Sequence, residues 1–388
     1  MAKRKNDEKY SLTEMVMMMV LSVFFGIIVG LLVSHTRIVS FDRSDKHIDE
    51  IVSTYNSIIN TYYGKVDKEK LVNGVISGMI NSLDDPYSSY MNKDISKLFN
   101  DNINGYYDGL GIVVSRENDK FVIKEVFDDS PASKAGVKAE DVIIKVDKNN
   151  LDGYDLEKLV KLMNKHKQVK ITVKRKNKNM SFTIRKGKVE MPSVSKRIID
   201  KDIGYIKVET FAANTAKQFE NSLRKVEKKK INSLIIDLRN NPGGHLNQTD
   251  DMLDLFLPKK VVLYQIENKG KKKKVYSKTR ESRSYPVIII INEGSASASE
   301  IVISCMKDNY KNIKLIGTKT YGKGTIQKEV NLKNGTSLKY TTEKWLTSKG
   351  KWLDHKNGGG IKPDIEVMEE DEKDAPLNRA IEEAKKSR

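Results

Sequence analysis

Apolar residues near the start of the chain recur at the spacing of a helix face. Within residues 48–59 and again within 71–80, most successive apolar residues lie three or four positions apart, at Ile48, Ile51, Tyr55, Ile58 and Ile59 and at Leu71, Val75, Met79 and Ile80. This period predicts two amphipathic helices. The turn-forming run DDPY at residues 84–87 interrupts the pattern, and a short helix follows at residues 95–99. We therefore predict a helical N-terminal region over residues 38–104.

Short apolar runs separated by turn residues begin at residue 105. They lie at residues 112–114, 121–126, 142–146, 169–175 and 181–185, with one helical stretch at residues 156–163. Runs of this length between Gly, Asn and Asp are typical of β-strands joined by turns. Residues 105–187 are predicted to form a small mixed β-domain.

The remainder of the chain, residues 188–388, alternates strands and helices. Strands at residues 203–208 and 233–238 flank a helix at 216–228, and the fully apolar run at 287–291 leads into a helix at 297–309. Apolar runs of this kind indicate a sheet buried on both faces. Four strand-like runs follow, at residues 314–316, 325–330, 337–342 and 365–367. A last helix is predicted at residues 376–386. The fold class is α+β and multidomain, with an α/β core and a C-terminal β-rich part.

One uncharged segment differs from the rest of the chain. The nineteen residues 15–33 are long enough to cross the roughly 30 Å apolar layer of a bilayer as a helix. Lys3, Arg4, Lys5 and Lys9 precede it, so the positive-inside rule places the N-terminus in the cytoplasm. Residues 1–37 are predicted to be a cytoplasmic tail and single-pass anchor in the cell membrane, with the rest extracytoplasmic. A cleaved signal peptide is the alternative, but residues 33–35 fit its small-residue cleavage site poorly.

Composition limits the chemistry that the chain can use. The formal charge is +18, which favours anionic surroundings such as lipid headgroups or cell-wall polymers. The basic run KGKKKK at residues 269–274 reads as a solvated loop, and no nucleic-acid motif accompanies it. Cys305 is the single cysteine, which excludes an internal disulfide and a Cys-rich zinc site. No pair of histidines has metal-ligand spacing, so we expect neither a metal nor another cofactor.

Three motifs follow predicted strands in the last half of the chain. They are DLRNNPGG at residues 237–244, NEGSASASE at 292–300 and TYGKGTIQ at 320–327. In this order, and behind the β-domain, they resemble those of the carboxyl-terminal processing (tail-specific) proteases. SLDDPYSSYM at 82–91 and IKPDI at 361–365 add to the resemblance, which covers nearly all of residues 48–388. It implies a PDZ domain at residues 105–187, set before a serine protease core at 188–388.

The resemblance also implies roles for individual residues. The nucleophile falls on Ser297 and the base on Lys323, and Gln327 is implied to position the lysine. The backbone amides of Ala298 and of either Gly243 or Gly244 are implied to form the oxyanion hole.

The residues themselves are consistent with this chemistry. A serine hydroxyl needs a neighbouring base, and a lysine can serve near pH 7 if burial lowers its pKa by about three units. If the chain after Gly322 is extended, Lys323 and Gln327 project from the same face, since their numbers differ by an even count. Ser297 opens a helix, where free N–H groups and the helix dipole favour developing negative charge.

Each assignment has an alternative. Ser297 could simply cap its helix. GTKTYGKG at residues 317–324 nearly spells a phosphate-binding loop, but it ends in Gly and precedes a strand. A histidine-based triad would have to use His245 or His355, and no G-x-S-x-G elbow surrounds Ser297.

A glycine-flanked loop begins the predicted PDZ domain. Gly109, Leu110, Gly111 and Ile112 precede an apolar strand, and such a loop can capture a terminal carboxylate while the peptide adds as a strand. We therefore expect polypeptides with free C-terminal tails as substrates. The non-enzymatic alternative is a membrane-tethered PDZ scaffold that binds peptides without cutting them. A homo-oligomer or an activator protein is left open.

Overall fold

The computed structural model describes residues 46–279, 282–332, 334–370 and 373–386. The predicted membrane anchor at residues 15–33 lies outside the described residues. Among the helices that are described, none combines the length and the apolar character needed to cross a bilayer. The chain divides into two compact units, Met1–Gly78 and Met79–Arg388.

In the first unit, the predicted pair of helices is present. Helix α1 is Lys46–Thr61, and helix α2, Lys68–Asn81, runs three residues past the unit boundary. Apolar side chains of both helices, among them Ile51, Ile58 and Leu71, line a cavity of about 430 Å³. The helical spacing of the apolar residues thus brings them onto facing sides of α1 and α2.

The second unit begins with a turn and a capped helix. Strand β1, Ser89–Met91, leads into helix α3, Lys93–Asn104. Asn92 Oδ1 accepts the Ile95 N–H at 2.9 Å, and Gly105 ends the helix in the left-handed conformation at φ 69°. The first cap explains why α3 begins after Asn92, and the second explains why it stops at residue 104.

A two-stranded ribbon joins α3 to the predicted PDZ domain. Strands β2, Tyr106–Gly109, and β9, Gly187–Glu190, pair antiparallel, and the Met191 N–H donates to the Gly105 carbonyl at 2.9 Å. The chain therefore enters and leaves the domain at neighbouring points.

The PDZ domain is a curved antiparallel sheet with the order β3-β4-β5-β7-β8, in which β6 pairs with β5. Its strands are β3 Ile112–Glu117, β4 Lys120–Val126, β5 Val142–Val146, β6 Asn149–Asn150, β7 Gln168–Arg175 and β8 Lys178–Arg185. Helices α4 (Pro131–Ala135) and α5 (Leu156–Asn164) cover its core, where Ile123, Leu159 and Ile171 are fully buried. Strand β3 lies at one edge of this sheet.

The core domain contains a mainly parallel sheet with the order β10-β11-β12-β15-β16-β19. Its strands are β10 Val194–Ile199, β11 Ile203–Val208, β12 Ser233–Asp237, β15 Val287–Ile291, β16 Ile313–Gly317 and β19 Ile365–Glu366. Helices α6 (Thr215–Glu227), α7 (Leu246–Leu253) and α8 (Ala298–Asn309) pack on one face, and α9 (Ala375–Lys386) packs on the other. Ile289 faces the first layer while Ile288 and Ile290 face α9, which accounts for the uninterrupted apolar run of β15.

A second, antiparallel sheet holds β13 (Val262–Asn268), β14 (Lys271–Tyr276), β17 (Thr325–Asn331) and β18 (Ser337–Thr347) together with β1. The prediction that residues 269–274 form a loop was wrong. Lys271–Lys274 belong to β14, the edge strand of a hairpin that turns at Lys269 and Gly270. Their exposed charges suit an edge strand, because they discourage pairing with another chain.

Candidate active site

Two loops meet at the carboxyl ends of parallel strands, where ligands of α/β sheets commonly bind. One loop follows β12 and the other follows β15. Ser295 Oγ donates to the Leu238 carbonyl at 2.8 Å, and Asn292 Oδ1 accepts the Asn240 N–H at 2.8 Å. These two hydrogen bonds, the first of them buried, hold the loops of the first two motifs against each other.

Ser297 has a strained backbone at the junction of β15 and α8. Its φ of 53° and ψ of −112° differ from the extended conformation of an ordinary N-cap. A non-glycine residue in such a region costs about 1–3 kcal/mol, and such strain clusters at functional sites. The next residue, Ala298, opens α8, and its N–H belongs to the first helical turn, where no intrahelical acceptor exists.

The glycine pair of the first motif packs directly on this junction. A β-carbon at Gly243 would lie 2.9 Å from the Ala298 nitrogen and 3.0 Å from Ser297 Cβ, so a side chain is excluded there. The Gly243 N–H donates to Asn241 Oδ1 at 2.9 Å. Of the two predicted glycines, Gly244 is therefore the better candidate for the second oxyanion donor.

Lys323 lies in the loop just before β17 and is half-buried. Its Nζ is 5.1 Å from the centroid of the Tyr87 ring, and its backbone pairs with Asp354 in an isolated bridge. Burial is the largest influence and lowers the pKa of Lys323 to about 8. A pKa in this range leaves a useful fraction of neutral amine near pH 7.

A buried carboxylate, Glu300, joins the backbones of the two predicted catalytic residues. Its Oε2 accepts the N–H groups of Ser297 and Lys323, each at 2.8 Å. Its Oε1 accepts the Gly322 N–H at 2.7 Å and the Thr320 hydroxyl at 2.6 Å. Burial raises the pKa of Glu300, and these four donors oppose the rise. Glu300 is not among the predicted site residues, although its Ser-x-x-Glu spacing is the signature of a capping box.

The side chain of Gln327 donates its hydrogen bonds to two threonines, whereas the prediction had it reach Lys323. Its amide donates to Thr325 Oγ1 at 2.9 Å and to Thr341 Oγ1 at 3.1 Å. Strand β17 begins only at Thr325, so Lys323 precedes it, and the extra residue at the register shift opposite Ile326 and Gln327 belongs to β18. Lys323 and Gln327 nevertheless line the same cleft.

The turn at residues 84–88 supplies two further side chains that the sequence did not assign. Lys323 Nζ lies over the Tyr87 ring, as described above, and Asp85 has the larger effect of two carboxylates that raise the pKa of Lys323. Burial would raise the pKa of Asp85, but hydrogen bonds from Ser88, Thr341 and the Tyr87 backbone hold it below its usual range. Asp85 is thus an ionised group next to the predicted base.

These residues open onto a cleft of about 1050 Å³. Its apolar walls come from α3, the PDZ domain and the core, and include Phe99, Ile103, Phe127, Met191, Leu246 and Ile326. Ser297, Lys323, Gln327, Gly243 and Gly244 line the same space. The cleft has room for several residues of an extended peptide next to the serine.

The predicted tail-binding loop has the geometry of a structural turn followed by an edge strand. Gly111 has φ 81°, and a β-carbon there would lie 2.2 Å from Ser130 Cβ. Leu110 is buried in the PDZ core, and its carbonyl accepts the Ala132 N–H at 2.9 Å. Gly109 ends β2 and Ile112 begins β3, the edge strand to which a peptide could add.

The sequence comparisons agree with one another. Residues 202–367 match a model of peptidase family S41, residues 109–185 match a PDZ domain model, and residues 34–95 match a model of the N-terminal domain of the activating protease CtpB. The carboxy-terminal processing protease CtpB of Bacillus subtilis is 38% identical over 335 residues, covering 84% of this chain and 69% of that protein. The chain belongs to the carboxyl-terminal processing proteases of peptidase family S41.

Two further relatives extend the comparison. The carboxy-terminal processing protease CtpA of Bacillus subtilis is 35% identical over 332 residues, covering 84% of this chain and 70% of that protein. A crystal structure of a Bacteroides fragilis protein assigned to the S41 proteases matches with a TM-score of 0.51 and covers 86% of this chain and 97% of that one. At 16% identity, the second likeness concerns the fold alone. The chain is thus a serine-type peptidase with a PDZ domain.

The histidines of this S41 protease do not form a triad with Ser297 within the described residues. His245 lines the cleft at the start of α7, and its buried Nε2 has no hydrogen-bond partner there. His355 stacks on the Tyr321 ring at 4.1 Å between centroids, and its Nδ1 lies 2.6 Å from the Tyr321 carbonyl. In the described ranges, no group of three or more His, Cys, Asp or Glu side chains is placed to hold a metal ion.

Proposed function

We propose that this chain is a membrane-anchored serine endopeptidase in which Ser297 and Lys323 form the catalytic dyad. Its substrates would be extracytoplasmic polypeptides whose C-terminal tails bind the PDZ domain. The observation that carries the proposal is the Glu300 carboxylate, which holds the backbones of Ser297 and Lys323 through one side chain. Both residues line the same cleft and the pKa of Lys323 is lowered, which supports pairing this serine with this lysine where a peptide can enter.

In the acylation step, the neutral Lys323 amine takes the proton of Ser297 Oγ as this oxygen attacks the carbonyl carbon of the scissile peptide bond. The carbonyl π electrons move to oxygen, and the N–H groups of Ala298 and Gly244 stabilise the negative charge. The Lys323 ammonium then gives its proton to the departing amine as the C–N bond breaks. An acyl-enzyme ester on Ser297 remains.

In the deacylation step, Lys323 takes a proton from water, and the hydroxide oxygen attacks the ester carbonyl carbon. The same two N–H groups stabilise the second oxyanion. When the C–O bond to Ser297 breaks, the lysine returns the proton to Oγ and a carboxylic acid forms, which gives its remaining proton to solvent and leaves as the new C-terminal carboxylate. The free enzyme is regenerated without a cofactor.

Gln327 supports this arrangement indirectly. Its amide donates to Thr341, and Thr341 in turn hydrogen-bonds the Asp85 carboxylate that faces Lys323. We assign Gln327 a positioning role through these two residues. A substitution there is expected to lower kcat more than it raises KM, since a group that positions the base acts in the chemical step.

Tail recognition is assigned to the loop Gly109–Leu110–Gly111–Ile112 and to β3. The loop would hold the terminal carboxylate while the substrate backbone pairs with the edge strand. The exposed apolar side chains Val113 of β3 and Val160 of α5 favour a tail with apolar residues. Residues 15–33 would anchor the enzyme in the cell membrane, with the cleft on the extracytoplasmic side.

The test uses the full chain purified in detergent and an unstructured reporter with an apolar C-terminus. Cleavage is compared for wild type, Ser297→Ala, Lys323→Ala and His245→Ala, with Lys328→Ala as control, because Lys328 is exposed on the other face of β17. We expect Ser297→Ala and Lys323→Ala to abolish cleavage and the control to match wild type. Activity of Lys323→Ala together with loss in His245→Ala would move the base to the histidine. No cleavage by wild type would favour a scaffold or a missing activator.

Tail recognition and membrane anchoring have separate tests. A reporter with an amidated C-terminus should be cut more slowly than one with a free carboxylate, and deletion of residues 107–187 should remove the difference. Equal rates for both reporters with the wild-type enzyme would reject tail recognition. Deletion of residues 1–37 should release the enzyme from the membrane fraction, and persistence in that fraction would reject the anchor.

A further inference from the structure

A second lysine, Lys339, lies in the wall of the cleft. It belongs to β18, where its register partners are Glu329 of β17 and Ser89 of β1. Side chains two positions apart on a strand point the same way, so Lys339 shares a face with Thr341, the acceptor of the Gln327 amide. Lys339 and Lys323 both line the cleft.

The side chain of Lys339 packs against an aromatic ring of the cleft wall. Its Nζ lies 5.3 Å from the centroid of the Phe99 ring, and Phe99 itself lines the cleft from α3. A cation over an aromatic face at this distance is attracted by the ring. Within the described residues, no ion pair ties Lys339 to a carboxylate, and the buried Oε1 of its cross-strand partner Glu329 has no hydrogen-bond donor.

We infer that Lys339 acts on catalysis through Lys323: its positive charge in the same cleft disfavours a second cation and so increases the fraction of Lys323 that is neutral and able to take the Ser297 proton. This inference rests on the proposed role of Lys323 as the base. Lys339 touches neither the serine nor the scissile bond in this account, so its role is to tune the base rather than to react.

The other charged and titratable groups around Lys323 act in the opposite direction or stay neutral. Asp85, from the turn before β1, and Glu300, from α8, favour the charged form of Lys323. Asp354 pairs with its backbone, and the Tyr87 phenol, whose pKa is raised by burial, stays neutral. After burial, Lys339 is the next largest influence that lowers the pKa of Lys323.

The effect of Lys339 on the pKa of Lys323 can be expressed as a change in kcat/KM at pH 7. With a pKa of about 8, roughly one Lys323 in ten is neutral at pH 7. Each unit by which that pKa rises lowers the neutral fraction, and hence kcat/KM at pH 7, about tenfold. At alkaline pH the amine is neutral in either case, so the plateau should not change.

The experiment measures kcat/KM of the full chain from about pH 6 to about pH 10, a range that brackets the pKa of the base. A short peptide substrate is used so that tail binding does not limit the rate. Wild type is compared with Lys339→Gln, Lys339→Arg and the exposed control Lys328→Gln. We expect Lys339→Gln to move the acid limb to higher pH with the alkaline plateau retained, while Lys339→Arg and Lys328→Gln follow wild type.

Two results would overturn the inference. One is an acid limb of Lys339→Gln that coincides with the wild-type limb. The other is a loss of activity at every pH that Lys339→Arg does not restore, which would indicate a structural role. The Lys323→Ala variant separates a failure of the Lys339 inference from a failure of the proposed function. If Lys323→Ala is inactive, the assignment of Lys323 as the base stands whatever Lys339 does. If Lys323→Ala stays active, the base assignment and the Lys339 inference are both rejected.

Discussion

Removing the Glu300 carboxylate should uncouple the nucleophile from its base. In Glu300→Ala the N–H groups of Ser297, Gly322 and Lys323 lose their acceptor in a buried site. A buried donor left unsatisfied costs about 1–3 kcal/mol, so the three together cost about 3–9 kcal/mol. That is comparable with the whole stability of a domain, about 5–15 kcal/mol, and this variant should fold poorly.

Glu300→Gln is the more informative change because the side-chain shape is retained. The amide oxygen can keep the Ser297 and Lys323 donors while the amide NH₂ faces Gly322 and Thr320. The threonine hydroxyl can rotate to accept, but the Gly322 N–H then has no acceptor, so we expect a loss of about 1–3 kcal/mol in stability. A displacement of the loops by about 1 Å can lower kcat about 100-fold.

The assay combines urea unfolding with steady-state kinetics. Trp345 is fully buried and its indole N–H donates to the Lys323 carbonyl at 2.7 Å, so tryptophan fluorescence reports on this loop. Glu293→Gln is the matched control, since Glu293 lies in the same loop as Ser297 and is exposed. A Glu300→Gln enzyme with the wild-type urea midpoint and the wild-type kcat would refute the reasoning.

Three further predictions follow from the same site. Gly243→Ala should abolish kcat, because its β-carbon would lie 2.9 Å from the Ala298 nitrogen at φ 100°, and near-wild-type kinetics would contradict this packing. Asp85→Asn removes a charge that raises the pKa of Lys323, so the acid limb of kcat/KM should move to lower pH and the rate at pH 7 should increase; a shift to higher pH would show that the sign is wrong. Arg239→Met leaves the fully buried Asp237 carboxylate without its ion pair, which should cost about 3–5 kcal/mol, and an unchanged thermal midpoint would contradict the pairing.

The sequence predicted the elements that depend on local periodicity. The two N-terminal helices, the apolar strand β15 and the short strands of the PDZ domain follow directly from the spacing of apolar residues. The motif order, together with its family resemblance, also indicated which serine and which lysine to examine. These features are encoded within short stretches of chain, so a sequence is sufficient for them.

Other features depend on contacts between distant segments. Asp85 and Tyr87 precede Lys323 by more than two hundred residues, and no local pattern indicates that β1 brings them together on β18. The parity argument for Gln327 treated residues 322–330 as one strand, whereas Lys323 lies before β17, in an isolated bridge to the distant residue Asp354. The role of Glu300 could have been suspected from its capping-box spacing, but its bonds to Gly322 and Lys323 come from a separate loop.

The paired ribbon of β2 and β9 has a consequence for how such genes can change. Because the Met191 N–H donates to the Gly105 carbonyl, the two chain segments that flank the inserted PDZ domain lie next to each other. A domain whose two ends meet can be gained, exchanged or deleted without rerouting the chain around it, and insertions of this geometry are tolerated best. The recognition module could therefore be replaced in a single recombination event while the catalytic core keeps its fold, so tail preference and peptide-bond chemistry can evolve independently.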